Sequence, residues 1–184
     1  IVIAAYNEAS FIENKIENTL ALDFPNDFLD IIIVTDGSTD KTFEIASQIK
    51  EVRCFHQKER LGKMAAIDRV MPFVNAEITV FTDANTLLNK DCLRHINMHF
   101  YSSNVGGVAG EKKVKPVDDI IINQANQEGL YWKYESYLKQ IDSNFYSILG
   151  AAGELYAIRA SLYEYPGRNV ILDKKFGSPT ITKD

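Results

Sequence analysis

The sequence predicts an α/β fold in which a mostly parallel, Rossmann-like sheet is flanked by helices. Short β-branched and aromatic runs alternate with segments of helical periodicity from residue 1 to about residue 114. Repeated strand–helix units of this kind build parallel sheets with right-handed crossovers. Two of the runs, 31–35 and 78–82, contain only apolar and threonine side chains and are typical of buried strands.

Each strand is predicted from a run of β-branched, aromatic or small apolar residues that is bounded by turn residues. The predicted strands cover residues 1–5, 31–34, 52–55, 78–81, the glycine-containing region 105–114 and residues 155–159. The small residues 150–154 precede the last of these strands. Small residues there either allow a close approach to a ligand or form a tight turn.

Helices are predicted between these strands. The first follows from the helical spacing of Phe11, Ile12, Ile16 and Leu20, and residues 24–27 break it. The other predicted helices cover residues 41–49, 63–73, 91–101 and 118–141. Asp40 and Asn89 are candidate caps of the first and third of these, and Pro72 ends the second. The segment 118–141 is a long helix or a helix pair, and its aromatic face either packs in a core or stacks on a sugar.

Length and composition predict a single domain, residues 1–184, that can bury a sizeable core. A net charge of -5 provides no basic field for nucleic acid, so a nucleotide ligand needs local cations or a metal. The thiols of Cys54 and Cys92 indicate a reduced compartment, and no apolar run approaches the ~20 residues that cross a membrane. We therefore expect a cytoplasmic protein. The chain begins at Ile1 inside a strand-like run and ends abruptly after residues 176–179, so we expect it to be truncated at both ends. We expect the full-length parent protein at the cytoplasmic face of a membrane.

Polar side chains follow two of the predicted strands. Asp36 comes directly after the run 31–35, and Asp83-Ala84-Asn85 comes directly after the run 78–82. Ligands of parallel α/β sheets bind outside the carboxyl ends of the strands. Carboxylate and amide oxygens suit a hard divalent cation that also holds a diphosphate. The sequence therefore predicts a Mg²⁺ or Mn²⁺ site at Asp83 and Asn85.

Other residues near the strand ends have two interpretations each. Asp36 either belongs to a turn and helix cap or accepts a hydrogen bond from a nucleobase N–H. Tyr6 either packs in the core or stacks on a base, and Glu8 either complements a helix dipole or faces the ligand. Arg60 and Lys63 are either solvated or hold phosphate beside a glycine at a helix start. Their joint placement at strand ends of one sheet favours the binding interpretations.

Four blocks of residues occur in a characteristic order. They are Ala5-Tyr6-Asn7-Glu8, Val34-Thr35-Asp36-Gly37-Ser38-Thr39-Asp40, Arg60-Leu61-Gly62-Lys63 and Thr82-Asp83-Ala84-Asn85. This order resembles family 2 glycosyltransferases with the GT-A fold, and residues 150–159 look like a later block of that family. The resemblance implies transfer of a sugar from a nucleotide-diphosphate donor, by default a UDP-sugar, to an acceptor hydroxyl with inversion. It implies a carbohydrate or lipid-linked acceptor and a role in polysaccharide or glycoconjugate synthesis.

The resemblance also implies the role of each site residue. The nucleotide contacts would be Ala5, Tyr6, Glu8, Asp36, Arg60, Lys63 and Asp83. Asp83 and Asn85 match the D-x-D block of the family and would address Mg²⁺ or Mn²⁺, although an amide in place of the second carboxylate should weaken metal affinity. The candidate catalytic base is Asp173, which is followed by Lys174 and Lys175 where the family has a paired acidic block. A later Gln-x-x-Arg-Trp block is absent from these 184 residues, so we expect the chain to bind donor but to transfer sugar poorly.

Three alternatives compete with this interpretation. A sugar nucleotidyltransferase would carry a glycine-rich phosphate loop after the first strand, whereas residues 4–8 contain no glycine. A catalytically impaired nucleotide-sugar-binding domain fits the poor base block around Asp173. A phosphoacceptor signalling domain would also place aspartates at strand ends but would not need the segment 60–63.

Overall fold

The computed structural model describes residues 1–110 and 155–164. The predicted helix 118–141, the small-residue segment 150–154 and Asp173 lie outside these residues. The described strands are β1 (Val2–Ala5), β2 (Ile32–Asp36), β3 (Arg53–Gln57), β4 (Ile78–Asp83), β5 (Gly107–Ala109) and β6 (Leu155–Arg159). They form one sheet in the order β3-β2-β1-β4-β6-β5.

The strand directions confirm a mostly parallel sheet. β1 pairs in parallel with β2 and with β4, and β2 pairs in parallel with β3. β6 is antiparallel to both of its neighbours, β4 and β5. This last strand therefore inserts between two elements that precede it in the chain, an arrangement that strand–helix alternation did not predict.

The described helices agree with the predicted ones within a few residues. They are α1 (Ile12–Leu20), α2 (Thr42–Ser47), α3 (Lys63–Val70) and α4 (Cys92–His99), with short 3₁₀ turns at Asn26–Phe28, Met71–Phe73 and Ala160–Leu162. Asn89 differs from its predicted capping role, because its backbone carbonyl accepts from the Cys92 N–H at 3.0 Å and its side chain does not cap α4. Across the described ranges, no helix combines the length and apolar character that spanning a bilayer requires.

The core covers both faces of the sheet, which explains why the strands lack polar alternation. On one face, Val2 and Ile32 pack against α3. On the other face, Ile3 and Ile33 pack against α1 and α2. Burying each such side chain contributes about 1.5–3 kcal/mol, so the helices on both faces stabilise the sheet. The sheet in turn positions the loops at the carboxyl ends of the strands.

Candidate functional site

A cleft of about 270 Å³ opens at the carboxyl ends of β1, β2 and β4, three strands that are adjacent in the sheet. The residues that line it are Ala4, Ala5, Tyr6, Glu8, Asp36, Arg60, Gly62, Lys63, Ala66, Asp83, Ala84 and Asn85. Every predicted nucleotide or metal residue is in this set. Asp173, the predicted base, lies outside the described residues, so the structure neither places it in the cleft nor removes it.

Asp36 is the last residue of β2 and is buried. Its Oδ2 accepts hydrogen bonds from the backbone N–H groups of Leu61 at 2.9 Å and Gly62 at 2.6 Å. Its Oδ1 is buried and has no hydrogen-bond partner among residues 1–110 and 155–164, and it forms a long ion pair with Arg69 Nη1 at 4.0 Å. A buried carboxylate oxygen without a hydrogen-bond donor is costly, so this oxygen is a candidate acceptor for a donor that approaches from the cleft.

The turn-and-cap interpretation belongs to Asp40 rather than to Asp36. Asp40 Oδ1 accepts from the Thr42 backbone N–H at 3.0 Å, and Oδ2 accepts from the Ala9 N–H at 3.0 Å. Burial opposes ionisation of Asp40, but its hydrogen bonds from Thr42 and Ala9 outweigh this and lower its pKa. Asp36 therefore does not cap α2, and its side chain lines the cleft.

Gly37 brings the loop that carries Arg60 against the end of β2. Gly37 has φ +69°, and a Cβ built on it would lie 2.7 Å from the Cβ and backbone nitrogen of Arg60. Any other residue would therefore displace this loop as well as strain the backbone. Gly62, at φ +97°, ends the same loop in the left-handed region, directly before α3.

Tyr6 is not a core residue. It is 37% exposed, and the guanidinium carbon of Arg60 lies 3.7 Å from the centroid of its ring, a cation–π contact. The pair forms one wall of the cleft, next to Asp36. A flat aromatic ring and a cation placed there suit a base and its phosphates.

The β1–α1 loop is locked to the β2–α2 loop, and the sequence analysis missed the residue that does this. Asn7 adopts φ 54°, and its Oδ1 accepts from the Thr39 backbone N–H at 2.8 Å. The backbone N–H of Glu8 donates to Thr42 Oγ1 at 2.8 Å. These bonds fix the direction of Tyr6 and Glu8. Asparagine is among the residues that tolerate positive φ. An asparagine directly after a predicted strand was therefore the sequence feature that could have identified this loop position.

The part of the cleft that offers oxygen ligands contains the carboxylates of Asp83 and Glu8 and the amide of Asn85. Asp83 is the last residue of β4, and its Oδ1 accepts a hydrogen bond from Lys63 Nζ in an ion pair. The pKa of Glu8 is raised by burial and by repulsion from Asp83 and Asp40. A divalent cation would relieve this repulsion. The oxygen donors fit Mg²⁺ or Mn²⁺, although residues 1–110 and 155–164 contain no group of three or more His, Cys, Asp or Glu that could hold a metal unaided.

Sequence comparison supports the resemblance. The family model described as Glycosyl transferase family 2 matches residues 1–165. A β-monoglucosyldiacylglycerol synthase from Nostoc sp. is 30% identical over 120 residues, which cover 62% of this chain and 26% of that protein. A poly-β-1,6-N-acetyl-D-glucosamine synthase from Staphylococcus aureus is 29% identical over 124 residues, which cover 65% of this chain and 30% of that protein. The matched segments therefore span less than a third of the length of these curated relatives.

Structural comparison gives the same fold. The mannosyltransferase PcManGT from Pyrobaculum calidifontis, in complex with GDP-Man and Mn²⁺, superposes with a TM-score of 0.75 and 26% identity. That match covers 94% of this chain and 48% of the other. S. aureus TarS in complex with UDP-GlcNAc superposes with a TM-score of 0.55 and 17% identity, over 64% of this chain and 36% of that one, which supports the fold alone. The predicted GT-A fold is confirmed.

Proposed function

Because the chain belongs to glycosyltransferase family 2, we propose that its cleft binds a UDP-sugar and that the parent protein transfers the sugar to an acceptor hydroxyl with inversion. The observation that carries the proposal is the buried Oδ1 of Asp36 at the end of β2, which has no hydrogen-bond donor among the described residues. Asp36 lines the same cleft as Asp83 and Asn85 at the end of β4. The nucleobase would bind at Asp36, at the end of β2, and the diphosphate would bind at Asp83, at the end of β4.

Asp36 has one oxygen without a hydrogen-bond donor among the described residues, and this favours uracil over guanine. Uracil presents one ring N–H, N3–H, whereas guanine presents N1–H and the neighbouring amino group side by side. Asp36 Oδ2 is already occupied by the N–H groups of Leu61 and Gly62, so one oxygen remains for the base. Tyr6 and Arg60 would line the ribose and the base from the side. We therefore propose UDP rather than the GDP seen in the mannosyltransferase.

The diphosphate would lie at Asp83. Asp83 and Asn85 would hold a divalent cation through their side-chain oxygens, and Lys63 and Arg60 would supply further positive charge. When bound, such a cation neutralises the charge that develops on the leaving diphosphate. Asp83 pairs with Lys63 and its side chain is 31% exposed, so the carboxylate is accessible to a cation.

The acceptor side is proposed from family membership. An inverting displacement needs a base that removes the acceptor proton, and Asp173 stays the candidate. The acceptor is proposed to be a carbohydrate or a lipid-linked hydroxyl in polysaccharide or glycoconjugate synthesis, which agrees with the names of the two curated relatives. A cytoplasmic location, with the parent protein at the cytoplasmic face of a membrane, stays a prediction.

Asp36→Asn is expected to change which base the cleft prefers. The asparagine oxygen should accept from Leu61 and Gly62, which leaves the amino group where the unpaired oxygen was. That amino group cannot accept from uracil N3–H but can donate to cytosine N3. We expect UDP affinity to fall by ~1–3 kcal/mol and the ratio of CDP to UDP affinity to rise by about tenfold or more, measured by titration calorimetry.

The control for this experiment is Asp23→Asn. It makes the same change at an exposed carboxylate that pairs with Arg94 and does not line the cleft. Its affinities for UDP and CDP should equal those of the unaltered chain, which should itself bind UDP more tightly than GDP. Unchanged nucleotide preference in Asp36→Asn would remove Asp36 from the base site.

Metal and nucleotide are expected to enhance each other's binding. One carboxylate and one amide are too few ligands for a closed cage, so diphosphate oxygens and water must complete the coordination. Mn²⁺ should bind weakly to the chain alone, and its affinity should be about tenfold or more higher when UDP is present. By linkage, Mn²⁺ should raise the affinity for UDP by the same factor. Tight Mn²⁺ binding without nucleotide would contradict this prediction.

A further inference from the structure

A buried lysine lies beneath the loop that carries Asp83 and Asn85. Lys15 is on α1, on the same buried face as Ile12, Ile16 and Thr19, and its relative exposure is 0%. Within the described ranges, no ion pair joins it to a carboxylate. Burying a charge in this way is unfavourable, and an apolar side chain would pack against the sheet at lower cost. The position therefore calls for an explanation beyond core packing.

The ammonium group of Lys15 bonds to both ends of one short turn. Nζ donates to Thr82 Oγ1 at 3.1 Å and to the backbone carbonyl of Thr86. These two residues flank Asp83-Ala84-Asn85 on either side. The backbone of the turn is closed by a long hydrogen bond, from the Thr86 N–H to the Asp83 carbonyl at 3.3 Å. The lysine thus spans the turn from below and connects its two ends.

A second residue of α1 also bonds to the chain that follows β4. Asn18, one turn further along α1, exchanges two hydrogen bonds with the backbone of Leu88, at 3.0 and 2.8 Å. One face of α1 therefore holds the chain from residue 82 to residue 88. Burial lowers the pKa of Lys15 to about 8, against the opposing effects of Cys92 and Asp83, so the group is predominantly an ammonium at neutral pH and can donate to both acceptors.

We infer that Lys15 is a positioning residue that holds Asp83 and Asn85 in the conformation that binds the metal-bridged diphosphate. This inference rests on the proposed function. Lys15 acts through the turn and does not line the cleft, so it should affect the metal-dependent part of nucleotide binding selectively. Base recognition at Asp36, on the other side of β1, should be independent of it.

The test is calorimetric titration of UDP with EDTA and with Mn²⁺, on the unaltered chain and on Lys15→Met. Lys15→Met fills a similar volume but removes both bonds. We expect the enhancement of UDP affinity by Mn²⁺ to fall about tenfold or more, as for other groups that orient metal ligands. UDP affinity in EDTA should change less than about threefold, which is under 1 kcal/mol.

Ile16→Val is the matched control. It alters a fully buried side chain next to Lys15 on α1 and removes no hydrogen bond to the turn. The affinities for UDP in EDTA and in Mn²⁺ should both stay unchanged. Thr82→Val removes one of the two acceptors and keeps the lysine, so it should reduce the Mn²⁺ enhancement in the same direction. If Lys15→Met does not fold, as judged by circular dichroism, Thr82→Val decides, and an unchanged enhancement in it overturns the inference.

The outcomes separate this inference from the proposed function. If the unaltered chain does not bind UDP, or shows no enhancement by Mn²⁺, the proposed site is wrong and the inference falls with it. If the unaltered chain shows the enhancement and Lys15→Met keeps it, only the role of Lys15 is wrong. An equal loss of affinity with and without Mn²⁺ would show a general structural role and would also overturn the inference.

Discussion

Replacing Asp83 by asparagine is expected to abolish the Mn²⁺-dependent part of UDP binding. The variant leaves two neutral amides, at positions 83 and 85, where a divalent cation needs at least one carboxylate to compete with water. UDP affinity in the presence of Mn²⁺ should fall by about 100-fold, or ~2.7 kcal/mol, to the level measured in EDTA. UDP affinity in EDTA should stay constant or rise, because the change removes a negative charge and releases Lys63 from its ion pair. Titration calorimetry with Mn²⁺ and with EDTA measures the two UDP affinities.

The reverse substitution, Asn85→Asp, is the matched partner of this experiment. It adds the second carboxylate, so Mn²⁺ should bind the chain without nucleotide about tenfold more tightly, while UDP in EDTA should bind more weakly through repulsion. Opposite shifts in Asp83→Asn and Asn85→Asp would identify both side chains as metal ligands. If Asp83→Asn kept the full enhancement by Mn²⁺, the metal would have to lie elsewhere.

Replacing Arg159 by methionine is expected to cause a large loss of stability. Arg159 ends β6, and its guanidinium donates to the backbone carbonyls of Val105 at 3.0 Å, Phe100 at 2.9 Å and Ser102 at 3.0 Å. It thereby joins β6 to the end of α4 and to the segment leading into β5. Methionine retains the packing of the stem but leaves these carbonyls without their donor. We expect the free energy of unfolding in urea to fall by about 2–4 kcal/mol.

Two further variants separate the contributions of Arg159. Glu77→Gln removes the ion pair with Arg159 at 2.9 Å, but Glu77 is 81% exposed on its side chain, so the loss should be below about 0.5 kcal/mol. Arg159→Lys keeps the charge, yet one ammonium cannot reproduce the planar fork that reaches several carbonyls, so its stability should lie between the two. Equal stability of Arg159→Met and Glu77→Gln would mean that the carbonyl bonds contribute little.

Local sequence determined the elements of the fold and the type of residue at each strand end. The runs around Ile33 and Val80 carry β-branched and apolar side chains without alternation, which matches strands buried on both faces. The helix predicted to end near Pro72 ends at Val70, and Pro72 lies in the 3₁₀ turn that follows, because proline cannot continue a helix interior. Asp36 and Asp83 could be placed at one edge of the sheet because parallel strands all end on the same side. Their roles in binding stay predictions.

Only the tertiary structure decided which groups meet across long separations in the chain. It placed β6 between β4 and β5, and it set Lys15 beneath the turn after β4. It also directed the N–H groups of residues 61 and 62 to one oxygen of Asp36, while the other oxygen has no hydrogen-bond donor among the described residues. The contacts made by Asp36 and Lys15 join residues 25 to 71 positions apart. Hydrophobic periodicity and turn chemistry describe a residue and its near neighbours. Partners at such distances depend instead on how helices and strands pack, and several packings satisfy the same local pattern.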